Sequence, residues 1–302
     1  MGYLAQVASL PGRDVQPAQK RYWWWQAAVL FLLMGWLYAS ILSRLAVQWW
    51  NDPNFSHGFF VPLFALFVLW QDRSRLATLS AKPSYWGLPI LILAVGVLLV
   101  GALGAELFLS RISLLLVLAG LVIFFLGWGC FRAVVFPWAF LLLMIPIPAL
   151  IFNQITFPLQ LLASKVAATL LPLAGVPVLR EGNVITLPAM PLEVAEACSG
   201  IRSLLSLVTL AIIYGYMVEG NRWMRVAVLA LGAIPIAVAA NSLRIVGTGL
   251  LVQYWDPDKA EGFFHAFSGW LIFVVSLGML FLLHRLMRLI GPGKDKSSGL
   301  SA

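Results

Sequence analysis

Cys198, Arg244 and His265 are the polar side chains whose types could do chemistry together in a chain that is otherwise mostly apolar. Cys198 lies in Glu196-Ala197-Cys198-Ser199-Gly200-Ile201-Arg202-Ser203, at the start of a long apolar run. A thiol at a helix N-terminus is turned toward thiolate by the helix dipole and the free backbone N–H groups, and Arg202, one turn along, adds positive charge. An inert buried cysteine is the plainer reading. The polar surroundings at a membrane face, on an oxidising side where it is the lone thiol, favour the reactive one.

Arg244, in Asn241-Ser242-Leu243-Arg244-Ile245, falls near the end of another apolar run. A guanidinium at such a depth costs about 2.5–3.5 kcal/mol on insertion scales. It therefore snorkels to the headgroups, is ion-paired, or is used; Glu193, Glu196 and Glu261 are candidate partners. Gly247 and Gly249 just beyond it would let the helix break and the chain approach closely. His265, in Phe263-Phe264-His265-Ala266, opens the last apolar run, either as a cap or as the base of a Cys–His pair. His57, in Asn54-Phe55-Ser56-His57-Gly58, is a second base, a substrate contact or a cap. His284 beside Arg285 reads as a helix anchor and Cys130 as inert. The Trp23-Trp24-Trp25 and Trp49-Trp50 clusters read as interfacial belts. No HExxH, P-loop or Cys/His set at zinc spacing occurs, so neither a metal nor a cofactor is expected.

The elements that must position these residues are helices in lipid. Of 302 residues, 61% are hydrophobic and 11% charged, and the mean hydropathy is +0.92. A soluble chain carries about a quarter charged residues, so a soluble protein is excluded. Apolar runs long enough to span place about eight transmembrane helices, near 24–46, 57–71, 86–104, 108–127, 133–152, 199–218, 226–246 and 265–284. The segment from Gln154 to Ala174 is broken by Pro158, Lys165 and Pro172, which suits an interfacial or re-entrant helix better than a ninth span. From Val176 to Val194, β-branched residues around Glu181-Gly182-Asn183 predict a small hairpin on the membrane's outer face. The fold class is thus an all-α polytopic membrane protein with one interfacial helix and one small hairpin. Residues 1–21 read as a cytoplasmic segment without a cleavable signal peptide, 22–290 as one membrane-embedded domain, and 291–302 as a disordered tail.

The formal charge of +8 does not gather into a nucleic-acid-binding stripe; it sits in short blocks between apolar runs. With both termini inside, thirteen Lys/Arg fall on the inner side and seven on the outer, as the positive-inside rule demands. Cys198, Arg244 and His265 then share the outer face, and in the opposite orientation they would still share one face. Cys130 and Cys198 fall on opposite faces, so no disulfide is expected.

Ala197-Cys198-Ser199-Gly200-Ile201-Arg202-Ser203, Asn241-Ser242-Leu243-Arg244-Ile245 and His265-Ala266-Phe267-Ser268-Gly269-Trp270 resemble the three signature blocks of the exosortase/archaeosortase family, and Ser56-His57-Gly58 resembles a further N-terminal feature of exosortases. The resemblance covers roughly residues 22 to 288. It implies that Cys198, Arg244 and His265 are catalytic; Arg202, which could steady the thiolate or bind the signal's glutamate, His57 and Asn241 are candidate substrate-binding residues. It implies cleavage of exported bacterial proteins that carry a C-terminal PEP-CTERM signal: a Pro-Glu-Pro motif, a transmembrane helix and a basic tail. Transfer of the acyl group to an acceptor nucleophile of unknown identity would follow, in the inner membrane, with the site facing the periplasm. A signal-peptidase-like hydrolase and a transporter of polysaccharide precursors are the competing readings. The first needs no acceptor amine and the second no thiol.

Overall fold

The computed structural model describes residues 18–194, 200–220, 222–254 and 263–290. The chain divides into two compact units, one ending at Arg44 and one beginning at Leu45. The first is helical from Ala18, the start of α1 (Ala18–Asn51), and exposes Phe31, Leu32 and Trp36, as a lipid-facing helix does. The candidate site lies in the second unit.

Among the described residues, seven helical stretches are long and apolar enough to cross a membrane: Ala28–Asn51, Pro53–Gln71, Leu107–Met144, Ala149–Leu173, Ile201–Glu219, Trp223–Tyr254 and Gly269–Leu289. An eighth apolar helix, α4 (Gly87–Leu103), is shorter. The chain is therefore a multi-pass, predominantly helical membrane protein, as its hydropathy predicts. After α1 comes a 3-10 helix (Pro53–Phe59), then α2 (Phe60–Gln71) and the short α3 (Arg73–Ala77). Next is α5 (Leu107–Phe140), which packs along α4.

The spans expected at 108–127 and 133–152 take a different form. α5 bends at Gly127, whose φ of 85° and ψ of 176° suit glycine alone. A Cβ there would collide with the Lys82 carbonyl. The carbonyls of Phe124 and Leu126, beside the bend, accept hydrogen bonds from the Ser84 and Lys82 N–H groups. After α5 the helix tightens into a 3-10 turn at Leu141–Met144 and stops, with Ile145 extended ahead of Pro146. The residue before a proline is pushed out of helical geometry, and hydropathy is blind to that break. α6 (Ala149–Leu173) is then one 25-residue helix of spanning length, and Pro158 and Pro172 lie within it without ending it.

The hairpin forms where it is expected. β1 (Leu179–Glu181) and β2 (Val184–Thr186) pair antiparallel, with Glu181 opposite Val184. The two-residue turn begins at Gly182 with φ +64°, a backbone that primed hairpin turns reserve for glycine. A third strand, β3 (Pro191–Glu193), pairs with β2. The sheet is more than a surface feature. Ile185, Leu187, Leu192 and Val194 are buried in one core with Ala163, Ala167 and Leu171 of α6 and with Ile245, Val246 and Val252. The Ser164 hydroxyl donates to the Gly182 carbonyl at 2.9 Å, fastening the turn to α6. The chain ends in three helices, α7 (Gly200–Glu219), α8 (Trp223–Tyr254) and α9 (Phe263–Ile290). A second core of Leu207, Ala211, Leu229, Ala233 and Leu280 joins them.

Candidate functional site

Arg244 sits in α8 with Ile245 and Val246, which the small sheet and α6 bury. Its residue is 6% exposed, so the guanidinium does not simply snorkel to water. It faces α9: a Cβ built on Gly269 would lie 3.7 Å from Arg244 Cζ and 3.8 Å from both terminal nitrogens. Gly269 is thus the place where α9 gives room to the guanidinium. His265 stands four residues earlier in the same helix, about one turn from Gly269. Its side chain lies outside the described atoms. α8 runs unbroken past Gly247 and Gly249 to Tyr254, so the break expected there does not occur. Gly249 does allow a close approach, with Leu171 of α6 at 3.1 Å from a built Cβ.

Cys198 lies outside the described residues, between β3, which ends at Glu193, and α7, which begins at Gly200. The backbone on both sides of it is anchored. β3 is paired on β2, Val194 N–H donates to the Asn183 carbonyl at 3.0 Å, and Ile201 is buried at the first turn of α7. Glu196 and Glu261, two of the acids considered as partners of Arg244, also lie outside the described residues, as does the side chain of Glu193.

Arg202 is exposed one turn into α7, and the charges of Arg244 and Asp52 both act on it. Among the described residues, Arg202, Arg244 and Asp52 set two guanidiniums against one carboxylate, which suits an anionic group or a developing oxyanion. Asp52 is a residue that the sequence reading passed over. It caps the 3-10 helix, where its Oδ1 accepts from both Asn54 N–H and Asn54 Nδ2 at 2.9 Å. The Asp-Pro-Asn run is a sequence signal for that cap.

The 3-10 helix packs on α7 and carries His57. His57 is 8% exposed; the carbonyls of Leu143 and Asn54 lie beside its ring. Its Nδ1 has no hydrogen-bond partner among the described residues. The tandem Trp49-Trp50, expected as an interfacial belt, splits in two. Trp50 is 81% exposed, but Trp49 is buried, donates through Nε1 to the Met144 carbonyl at 2.9 Å and packs against Gly58. A Cβ on Gly58 would run into that indole, which explains why glycine follows His57. Alternation of two tryptophans on a helix sends them to different sides, a point that composition misses.

Asn241 stands one turn before Arg244 on α8 and is buried. With Leu159 and Ala163 of α6, Leu204 of α7, and Ala237 and Val238, it lines a narrow cleft among the three helices. The cleft is apolar except for that amide. His284 is more than an anchor. It is 4% exposed and bonds Glu219 Oε1 at 2.9 Å and the Tyr214 hydroxyl at 2.7 Å, at the other end of α7 and α9. Cys130 is a buried free thiol on α5.

Residues 49–282 match a family model described as transmembrane exosortase. The match takes in the 3-10 helix with His57, the small sheet and all of α7 and α8, and it reaches nearly to the end of α9. The chain belongs to this family. No curated protein and no solved structure matches it.

Proposed function

We propose that this transmembrane exosortase is a cysteine-dependent sorting protease and transpeptidase that cleaves the C-terminal PEP-CTERM signal of exported proteins. Its family membership supports a sorting transpeptidase role on exported substrates. The observation that carries the chemistry is the placement of Arg244: a buried guanidinium on α8, held against α9 at Gly269, one helical turn from His265.

In this reading Cys198 Sγ attacks the scissile carbonyl after His265 takes its proton, and a tetrahedral oxyanion forms opposite Arg244. Collapse of that intermediate breaks the C–N bond. His265 returns the proton to the leaving amine, which departs with the signal's transmembrane helix and basic tail. A thioester links the exported protein to Cys198 until an acceptor nucleophile, deprotonated by His265, takes the acyl group and restores the thiol. The low-dielectric surroundings of Arg244 give its charge most of its effect on the oxyanion, where loss of one donor costs on the order of 10²–10³ in rate. Arg202, with Asp52 beside it, binds the acidic residue of the signal. His57 and Asn241 contact the signal, and an apolar groove between spans receives its helix. The site opens to the periplasm from the inner membrane, with both termini in the cytoplasm.

The test is expression of the full chain with a PEP-CTERM-bearing protein, comparing the native sequence with Cys198→Ala. The alanine variant should accumulate uncleaved substrate while inserting normally in the membrane. Cleavage at the native rate would remove the thiol mechanism. Added amine separates transfer from hydrolysis: it speeds release of a trapped thioester only if the acyl group passes to an acceptor.

A further inference from the structure

The arginines at the end of the bundle far from Arg244 are used in two different ways. At 1.5 Å per residue, α8 carries Arg244 roughly 30 Å from Trp223, about the thickness of a bilayer's hydrocarbon. At the Trp223 end, Arg225 and Arg222 reach Glu219 Oε2 at 2.9 and 3.5 Å. Arg73 lies over the Trp70 ring at 4.5 Å and donates to the Trp70 carbonyl. Arg75 of α3 and Arg132 of α5 are different. Both line one cavity of about 280 Å³, and among the described residues neither is ion-paired.

The rest of that cavity is built for more than water. Phe136 stacks on Tyr216 at 4.4 Å and 11°, and Trp223 leans on Phe136 at 4.8 Å, giving a continuous aromatic wall. Asp72 is the cavity's one carboxylate, and its charge acts on Tyr216. Two guanidiniums against one carboxylate leave the cavity net positive. Guanidinium forks match the oxygens of a phosphate. Tyrosine and tryptophan at a membrane boundary suit a ligand that is polar at one end and apolar at the other. Trp223 and Val135 are 43% and 42% exposed, so the wall is open on its apolar side. The volume holds a headgroup but not an acyl chain, which would have to run outward along that side.

We propose that this cavity is a binding site for an anionic phospholipid of the leaflet at that end. Arg75 and Arg132 hold the phosphate, and Phe136, Tyr216 and Trp223 carry the glycerol and the first acyl carbons. Basic pockets between membrane helices are a recurrent way of holding such headgroups. The site does not depend on the thiol chemistry at the other end.

Native mass spectrometry of the detergent-purified full chain, titrated with phosphatidylglycerol, tests it. The native protein should retain one lipid, and the Arg75→Gln/Arg132→Gln double variant should bind it at least about tenfold more weakly. The Arg75→Lys/Arg132→Lys variant should keep much of the affinity, and Arg222→Gln, whose partner is Glu219, all of it. Should the double glutamine variant not fold, each single variant should still show a severalfold loss. Equal retention by the native and folded glutamine proteins would overturn the proposal, and so would equal retention of phosphatidylcholine. Inorganic phosphate is the second arm. If phosphate alone competes the lipid away at comparable concentration, the site belongs to a soluble phosphate ester and the lipid assignment fails.

Discussion

A methyl group added at Gly269 would meet the Arg244 guanidinium at 3.7–3.8 Å, which is ordinary van der Waals contact, whereas a leucine would drive branched carbons into it. Gly269→Ala should therefore process substrate within about twofold of the native rate, and Gly269→Leu should lose on the order of the 10²–10³ expected when an oxyanion donor is displaced. Rates from pulse-chase cleavage, with membrane insertion as the control, check this. A leucine variant of native activity would mean that Arg244 does no work on the face toward α9. Arg244 was legible because a guanidinium in an apolar run is expensive whatever its neighbours. Asp52 was not, since its influence on Arg202 exists only once the 3-10 helix has packed on α7. Trp49 failed for the opposite reason. Its type fits the interface, and only its contact with Gly58 and the Met144 carbonyl puts it inside.

The bend in α5 and the small sheet are the elements that decide how the apolar runs pack. Gly127 combines a left-handed φ with direct contact against the Lys82 carbonyl, so Gly127→Ala meets two penalties at once. The backbone strain alone is worth about 1–3 kcal/mol. The clash must be relieved by moving the 82–84 segment off the Phe124 and Leu126 carbonyls. Thermal unfolding in detergent should show Gly127→Ala clearly below Gly129→Ala, whose built Cβ meets nothing within 4 Å. Similar melting of the two variants would remove the structural role given to the bend. Hydropathy ended a span at 127, where α5 bends and continues. It then ran a helix through Pro146 and Pro148, where the backbone turns extended although the side chains stay apolar. α6 shows the converse. Prolines read as interruptions lie inside a helix of spanning length, since neighbouring elements can re-satisfy the carbonyls that a proline frees. The hairpin was legible from Gly182 and its β-branched flanks, whereas its burial against α6 and α8 rests on contacts far apart in sequence.

At the scale of the molecule, the proposed catalytic residues are divided among three helices: Cys198 ahead of α7, Arg244 on α8 and His265 on α9. Their geometry therefore depends on how firmly those helices are tied. The second core joins them along their length. At the end far from Arg244, Glu219 of α7 ties both neighbours, its carboxylate bonded to Arg225 of α8 and to His284 of α9 at 2.9 Å each. The Glu219 side chain is 3% exposed, and that of His284 5%. Removing one partner of a buried pair leaves the other uncompensated and typically costs about 3–5 kcal/mol. Glu219→Ala should thus lower the unfolding midpoint strongly, although it lies a bilayer's width from Arg244. His284→Ala should lower it less, because Arg225 still satisfies the carboxylate. The double variant should fall short of the sum of the two, since the residues share one network. Processing measured on the same proteins then tells whether the tie matters for catalysis. If Glu219→Ala melts early but cleaves at the native rate below its midpoint, the network holds the fold alone. If cleavage falls by tenfold or more while the variant is still folded, the three helices need this distant tie to align the site. Additive stability losses from Glu219→Ala and His284→Ala would show that the two side chains do not act as a pair at all.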